Sequence, residues 1–225
     1  MDDGRMEMSP ITIAVAMDIW PMWLDVAIDN ARSATDWRTT LASELGPDRT
    51  PLSDPHRQAM LLNEECKSAM VSICASAFAL DNFYACIADF VPGGEALRSQ
   101  WDAARTARHK LVSESLRRTF KLTNAGGKYL QTKMQEVFKF RDWAVHPPSD
   151  FREAHYNDLI DAGTDWRFVA FRAENASHAA VFAASSISQC LKAPRRSVIE
   201  LGNWAQERVE RSEARAQRAA ALLGP

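Results

Sequence analysis

No CxxC pair occurs in this chain, and its four cysteines, Cys66, Cys74, Cys86 and Cys190, include three within one helical pattern of alanines and leucines. That placement reads as buried free thiols. No histidines accompany them at metal-ligand spacing, so neither a disulfide framework nor a zinc site is expected, and no metal or cofactor is called for. Glycine-rich loops of the GxGxxG and Walker kinds are missing, as are internal repeats and any alternation of strand and helix patterns. The chain therefore reads as all-α. A long uninterrupted apolar run is missing too: the best candidate, Pro10 to Leu24, is interrupted by Asp18 and Pro21 and is too short to span a bilayer. The start, with Asp2 and Asp3, lacks the basic flank of a signal peptide. The expectation is a cytoplasmic protein with no membrane association.

What is present is 225 residues with an apolar fraction of 46%, enough for one generous core. The net charge of −2 conceals a strong asymmetry. Residues 1–97 carry 6 Lys/Arg against 15 Asp/Glu, residues 98–141 carry 11 against 3, and residues 142–225 carry 10 against 11. The basic middle is the kind of footprint a nucleic acid would use. A plainer account exists, because Lys110, Glu114, Arg117 and Lys121 share one helical stripe at salt-bridge spacing.

Punctuation in the sequence divides this helical chain. Ser9-Pro10 opens an apolar segment that Pro21 is expected to kink or end, with a helix resuming from Met22 toward Leu45 and a loop over 46–54. Ser53-Asp54-Pro55 is a helix start, a capping side chain followed by proline. From there Leu62, Cys66, Ala69, Ile73, Ser76, Leu80, Phe83, Ile87 and Phe90 alternate four and three apart, the seam of a central bundle helix running to about Val91. A third helix is expected over Glu95 to Leu122 with Leu97, Trp101, Ala104, Leu111, Val112, Leu116 and Phe120 inward, then a turn over Thr123 to Gly127. The fourth, from about Lys128, places Leu130, Met134, Val137, Phe138, Ala144 and Val145 on one face. Residues 147–173 show little helical periodicity, and Trp166 to Phe171 reads as a short strand or an apolar clamp. A fifth helix follows to Leu191, and a last one, Arg195 to Leu223, reads as a largely solvated or partner-binding extension.

The most informative segment is Arg141-Asp142-Trp143-Ala144-Val145-His146, followed by Pro147-Pro148. Arginine is permanently charged and its planar fork of donors matches phosphate oxygens, whereas histidine exchanges protons near neutral pH. Arg141 falls within an apolar stripe, where a guanidinium must find a partner; Asp81 and Asp142 are the candidates for an internal pair. A residue before proline is pushed out of helical geometry, so the helix is expected to stop at Val145. Had it continued, His146 would sit about 140° around the helix from Arg141. Either the helix end swings the imidazole round or a second copy of the chain supplies the missing group.

These six residues resemble the R-x4-6-H signature of HEPN domains, in which a polar residue commonly follows the arginine, as Asp142 does here. The motif's position at the end of a late helix after a long apolar one adds to the likeness. What the resemblance implies is an up-and-down HEPN-like bundle over 51–193, beside a kinked helical segment over 1–50 that packs on it and a C-terminal helix over 194–225. It implies a homodimer with a composite active site and a metal-independent endoribonuclease, of the kind found among toxins and phage-defence effectors, some controlled by an antitoxin. Arg141 and His146 would be catalytic. Asp142 would orient a cationic side chain, or simply face solvent. Lys128, Lys133, Lys139, Arg117, Arg118 and Lys121 would be the RNA contacts. Toxin members that pair with a nucleotidyltransferase carry a tyrosine two residues past the histidine; that position here is Pro148, which excludes control by tyrosine modification there. His109, His155, His178 and Tyr156 are further candidates without a motif. Two other readings remain open: a non-catalytic module binding RNA, a nucleotide or a protein partner, and a helical dimerisation protein in which Arg141 is a paired core charge.

Overall fold

A computed structural model describes residues 17–46, 52–146 and 153–224. Helix α1 runs Trp20–Glu44 and α2 Pro55–Ile87, the latter prolonged by a 3-10 turn over Ala88–Phe90. Pro21 does not kink a longer helix within the described residues. It sits in the first turn of α1, where its missing N–H would have had no intrahelical partner. The apolar residues before Met17 lie outside the described residues. At α2 the expected start holds: the Asp54 carboxylate accepts hydrogen bonds from the His56 and Arg57 N–H groups, and Pro55 opens the helix.

Helix α2 is the centre of the molecule. Every seam residue from Leu62 to Ile87 is buried, with Phe90 half-buried at the end. Its neighbours bury Ala27, Ala31, Ala34 and Ala176. Small residues let backbones approach closely enough for the Ser72 hydroxyl to donate 2.8 Å to the Ala27 carbonyl, and its oxygen also lies 3.4 Å from the Ala176 carbonyl. The stretch Pro55–Phe90 is long and apolar enough to cross a membrane by length and composition, yet 56% of its most apolar window is buried in this packing.

The expected single third helix is two: α3, Gly94–Ala103, and α4, Arg108–Thr119. The chain breaks between them with Arg105 in the left-handed region, φ 49°, and the Thr106 N–H closing on the Trp101 carbonyl at 2.9 Å. Ala104 is consequently exposed rather than inward, while Leu111, Val112, Leu116 and Phe120 still reach the core. Helix α5 spans Asn124–Val145, so the expected turn over Thr123 to Gly127 is instead its first turn, capped by the Thr123 hydroxyl accepting from the Gly126 N–H at 3.0 Å.

Two short antiparallel strands follow, β1 His155–Asn157 and β2 Ala162–Thr164. Trp166–Ala170 forms a short helix, α6, capped by Asp165, and not a strand. The clamp alternative describes it better, since Trp166 and Phe171 are buried against Phe140 and Trp143. Helix α7, Ala173–Lys192, matches the expected fifth helix. The last helix divides into α8, Ile199–Gln206, and α9, Val209–Ala220, ending in a 3-10 turn over Ala221–Leu223. It is no solvated extension. Leu201, Ala205 and Ala219 are fully buried, Arg215 holds Asp25 through two nitrogens at 3.1 and 2.7 Å, and Arg208 pairs with Asp18. One apolar cluster joins α1, α2, α4, α5, α7 and these C-terminal helices.

Candidate functional site

Leu130, Met134, Val137 and Phe138 form the buried stripe of α5, and Arg141 continues it where the bundle opens to solvent. The guanidinium lies 4.6 Å from the Phe138 ring centre, and its side chain stays 20% exposed. Its Nε and Nη2 both donate to Asp142 Oδ1, at 3.0 and 2.6 Å. The alternative core partner is taken: Asp81 on α2 accepts from Arg108 Nε at 2.7 Å, and that guanidinium also covers the Tyr84 ring. Arg141 is thus tied to a neighbour that is itself 59% exposed, and not locked into the interior.

The helix ends as the proline predicts. His146 is the C-cap, with φ −128° and ψ 71°, and its N–H donates 2.7 Å to the Asp142 carbonyl. Its imidazole is exposed and has no hydrogen-bond partner among the described residues. Ala144 is half-buried and Val145 exposed, so the apolar stripe expected through both fades at this last turn. Helical spacing puts Lys139, Asp142, Trp143 and His146 on one side of the helix, at intervals of three, four and seven. Lys139 Nζ lies 4.6 Å above the Trp143 ring, which is wedged edge-on against Phe140 and Trp166. Arg141 and Asp142 are brought together; among the described residues His146 makes no hydrogen bond to the Arg141 fork.

The other basic candidates do not gather here. Arg117 and Arg118 are both held by Glu114, at 2.6 and 2.8 Å; the Glu114–Arg117 pair is the one the salt-bridge reading of that stripe anticipates. They flank the start of α5, where a Cβ on Gly127 would meet the Arg117 side chain at 3.3 Å. Lys121 and Lys128 are exposed near the same end, with Lys128 thirteen residues before Arg141, about 20 Å along a helix. Lys133 pairs with Glu136 at 2.7 Å and borders a groove of about 490 Å³ between α5 and α7, walled by Tyr129, Phe140 and Phe182. Of the six, Lys139 alone lies within two turns of the motif.

A residue without a motif comes closer. His109, in the first turn of α4, is half-buried, and its Nε2 is enclosed by protein with no hydrogen-bond partner. Burial, and secondarily the Lys110 charge, lower its pKa from the usual 6.5, while the Asp142 carboxylate pulls the other way. Sequence periodicity could not show this, because the break at Arg105 sets where α4 begins. Beneath the site Cys74 on α2 is half-buried; burial raises its thiol pKa and the Arg141 charge partly offsets that. All four cysteines are free, and no cluster of metal-ligating side chains occurs among the described residues.

The class of molecule these features define is an all-α bundle carrying, at the open end of one helix, an arginine held by an exposed carboxylate beside two histidines. Compared with family models, curated proteins and solved structures, the chain matches none.

Proposed function

We propose that this chain is a metal-independent endoribonuclease of HEPN type, acting as a homodimer on RNA in a toxin or phage-defence setting. The observation that carries the reading is the tether of Arg141. A guanidinium satisfied by a core carboxylate would be structural, but this one rests on exposed Asp142 while Asp81 is engaged by Arg108. A phosphodiester can replace Asp142 without opening the core. His146 is solvent-exposed at the same helix end. Because it follows Arg141 by five residues, about 140° around a helix, the composite site joins Arg141 of one copy to the partner subunit's His146.

The chemistry follows from the two groups. Arg141 neutralises the phosphoryl oxygens as negative charge builds, and an imidazole exchanges the proton of the 2′-hydroxyl or of the departing 5′-oxygen. The 2′-oxygen bonds to phosphorus, the P–O5′ bond breaks, and the products are a 2′,3′-cyclic phosphate and a 5′-hydroxyl. DNA lacks the attacking hydroxyl and survives.

Incubation of the full chain with total RNA in EDTA tests this. Expected are fragments with cyclic phosphate ends, lost about 10²-fold or more in Arg141→Ala and in His146→Ala while both variants keep their thermal midpoint. Mixing the two variants should restore part of the activity. RNA left whole by the native protein overturns the reading, and RNA retained but uncut would favour a binding module.

A further inference from the structure

The Asp142 carboxylate is bonded to Arg141 and its charge also reaches His109. Its Oδ1 takes both hydrogen bonds of Arg141, and Oδ2 accepts none among the described residues. Across the α4–α5 interface, the enclosed His109 Nε2 has no hydrogen-bond partner, although the Asp142 charge acts on the ring. A buried ring nitrogen without a partner is costly whichever tautomer it holds, and such orphans in a native fold call for an explanation. Nδ1, by contrast, is neither enclosed nor bonded within the described chain.

We infer that Asp142 is an exchangeable carboxylate that holds Arg141 in the empty site and passes to His109 Nε2 when a phosphodiester takes the guanidinium, making His109 Nδ1 the base for the ribose 2′-hydroxyl. This rests on the ribonuclease reading and divides its proton transfers. The 2′-hydroxyl proton goes to His109 Nδ1 as O2′ bonds to phosphorus. The P–O5′ bond breaks, and the 5′-oxygen takes a proton from the partner subunit's His146. One imidazole gains the proton the other loses. Burial favours the neutral His109 ring that a base requires, and the exchange adds the acceptor that fixes its tautomer. Asp142 is then a positioning residue, acting through His109. The charged groups acting on His109 are Lys110 from its own helix and Asp142 from α5, which holds Arg141; neighbouring Arg108 is committed to Asp81.

Imidazole NMR of the full chain, with inorganic phosphate as probe, tests the exchange without needing turnover. Phosphate should raise the His109 pKa and bring its Nε2–H signal downfield. Arg141→Gln should produce the same rise with no phosphate, and Asp142→Asn should abolish both. An unmoved His109 in Arg141→Gln overturns the exchange. In the RNA assay His109→Gln should lower kcat about 10² to 10⁴-fold and remove one limb of the pH–rate profile. His109→Gln mixed with His146→Ala should recover activity, whereas mixed with Arg141→Ala it should not, because His109 and Arg141 serve from the same copy. Full activity in His109→Gln overturns the base assignment. If the native protein leaves RNA whole, the ribonuclease reading falls and the base assignment with it, while the NMR arm still decides whether Asp142 exchanges.

Discussion

Arg38 and Glu65 show how a single buried charge is made tolerable in this core. The Glu65 side chain is 5% exposed, and its Oε1 accepts from the Ala173 N–H at 3.0 Å and from Arg38 at 3.4 Å. The first of these caps α7 from a different helix, satisfying a donor that the start of a helix leaves open. Burial raises the Glu65 pKa above 4.5, with the Ala173 N–H and Arg38 opposing. A carboxyl whose folded pKa is raised contributes stability fully present below pH 4.5 and lost as pH rises through its folded value. Arg38→Met therefore should cost about 3–5 kcal/mol near pH 7, the usual penalty for stranding a buried charge. The deficit should shrink on acidification, and Arg38→Met with Glu65→Gln should recover most of it in urea denaturation at pH 5 and 7. At this scale sequence singles out Arg141 and His146 and offers Arg141 two carboxylate partners without choosing between them. Asp81 and Asp142 were equally available to Arg141 on paper, and only the position of Arg108 over Tyr84 settles the choice.

The helices differ in how firmly their ends are written. Asp54 and Pro55 mark the start of α2 with a side chain and a ring that act within one turn, so local chemistry suffices. Thr123 does the same for α5, and Thr123→Ala is expected to cost about 1 kcal/mol by thermal or urea unfolding. Gly126→Ala, although alanine is the better helix former by about 1 kcal/mol, should not stabilise: its Cβ would lie 3.1 Å from the capping hydroxyl. The breaks at Arg105 and between α8 and α9 carry neither glycine nor proline. Leu97, Trp101, Ala104 and Leu111 fall within about 80° of one another at helical spacing through the first break, so the apolar pattern reads as continuous. Helix type is legible from periodicity; a turn made by an ordinary residue in the left-handed region is not.

Across the molecule, residues far apart in the chain converge on Phe83. Its ring meets Trp20 of α1 at 5.6 Å, Phe120 after α4 at 5.8 Å and Trp204 of α8 at 5.9 Å. The C-terminal helices are therefore part of what buries α1 and α2. A chain ending at Arg196 should unfold at clearly lower urea than the full protein, since it uncovers Phe83 and frees Asp25 and Asp29 from Arg215 and Arg218. An unchanged midpoint would mean that the α8–α9 packing contributes nothing. Amino-acid order alone determined the helical class, the seam of α2, the capped start of α2 and the halt of α5 at His146, because propensity, capping and the constraint before proline operate over a few residues. Tertiary structure alone decided that Arg141 leans on Asp142, that His109 shares that carboxylate's field, and that the tail folds back over the core. Those outcomes depend on distances between side chains up to 193 residues apart, and such distances exist only after the helices have packed.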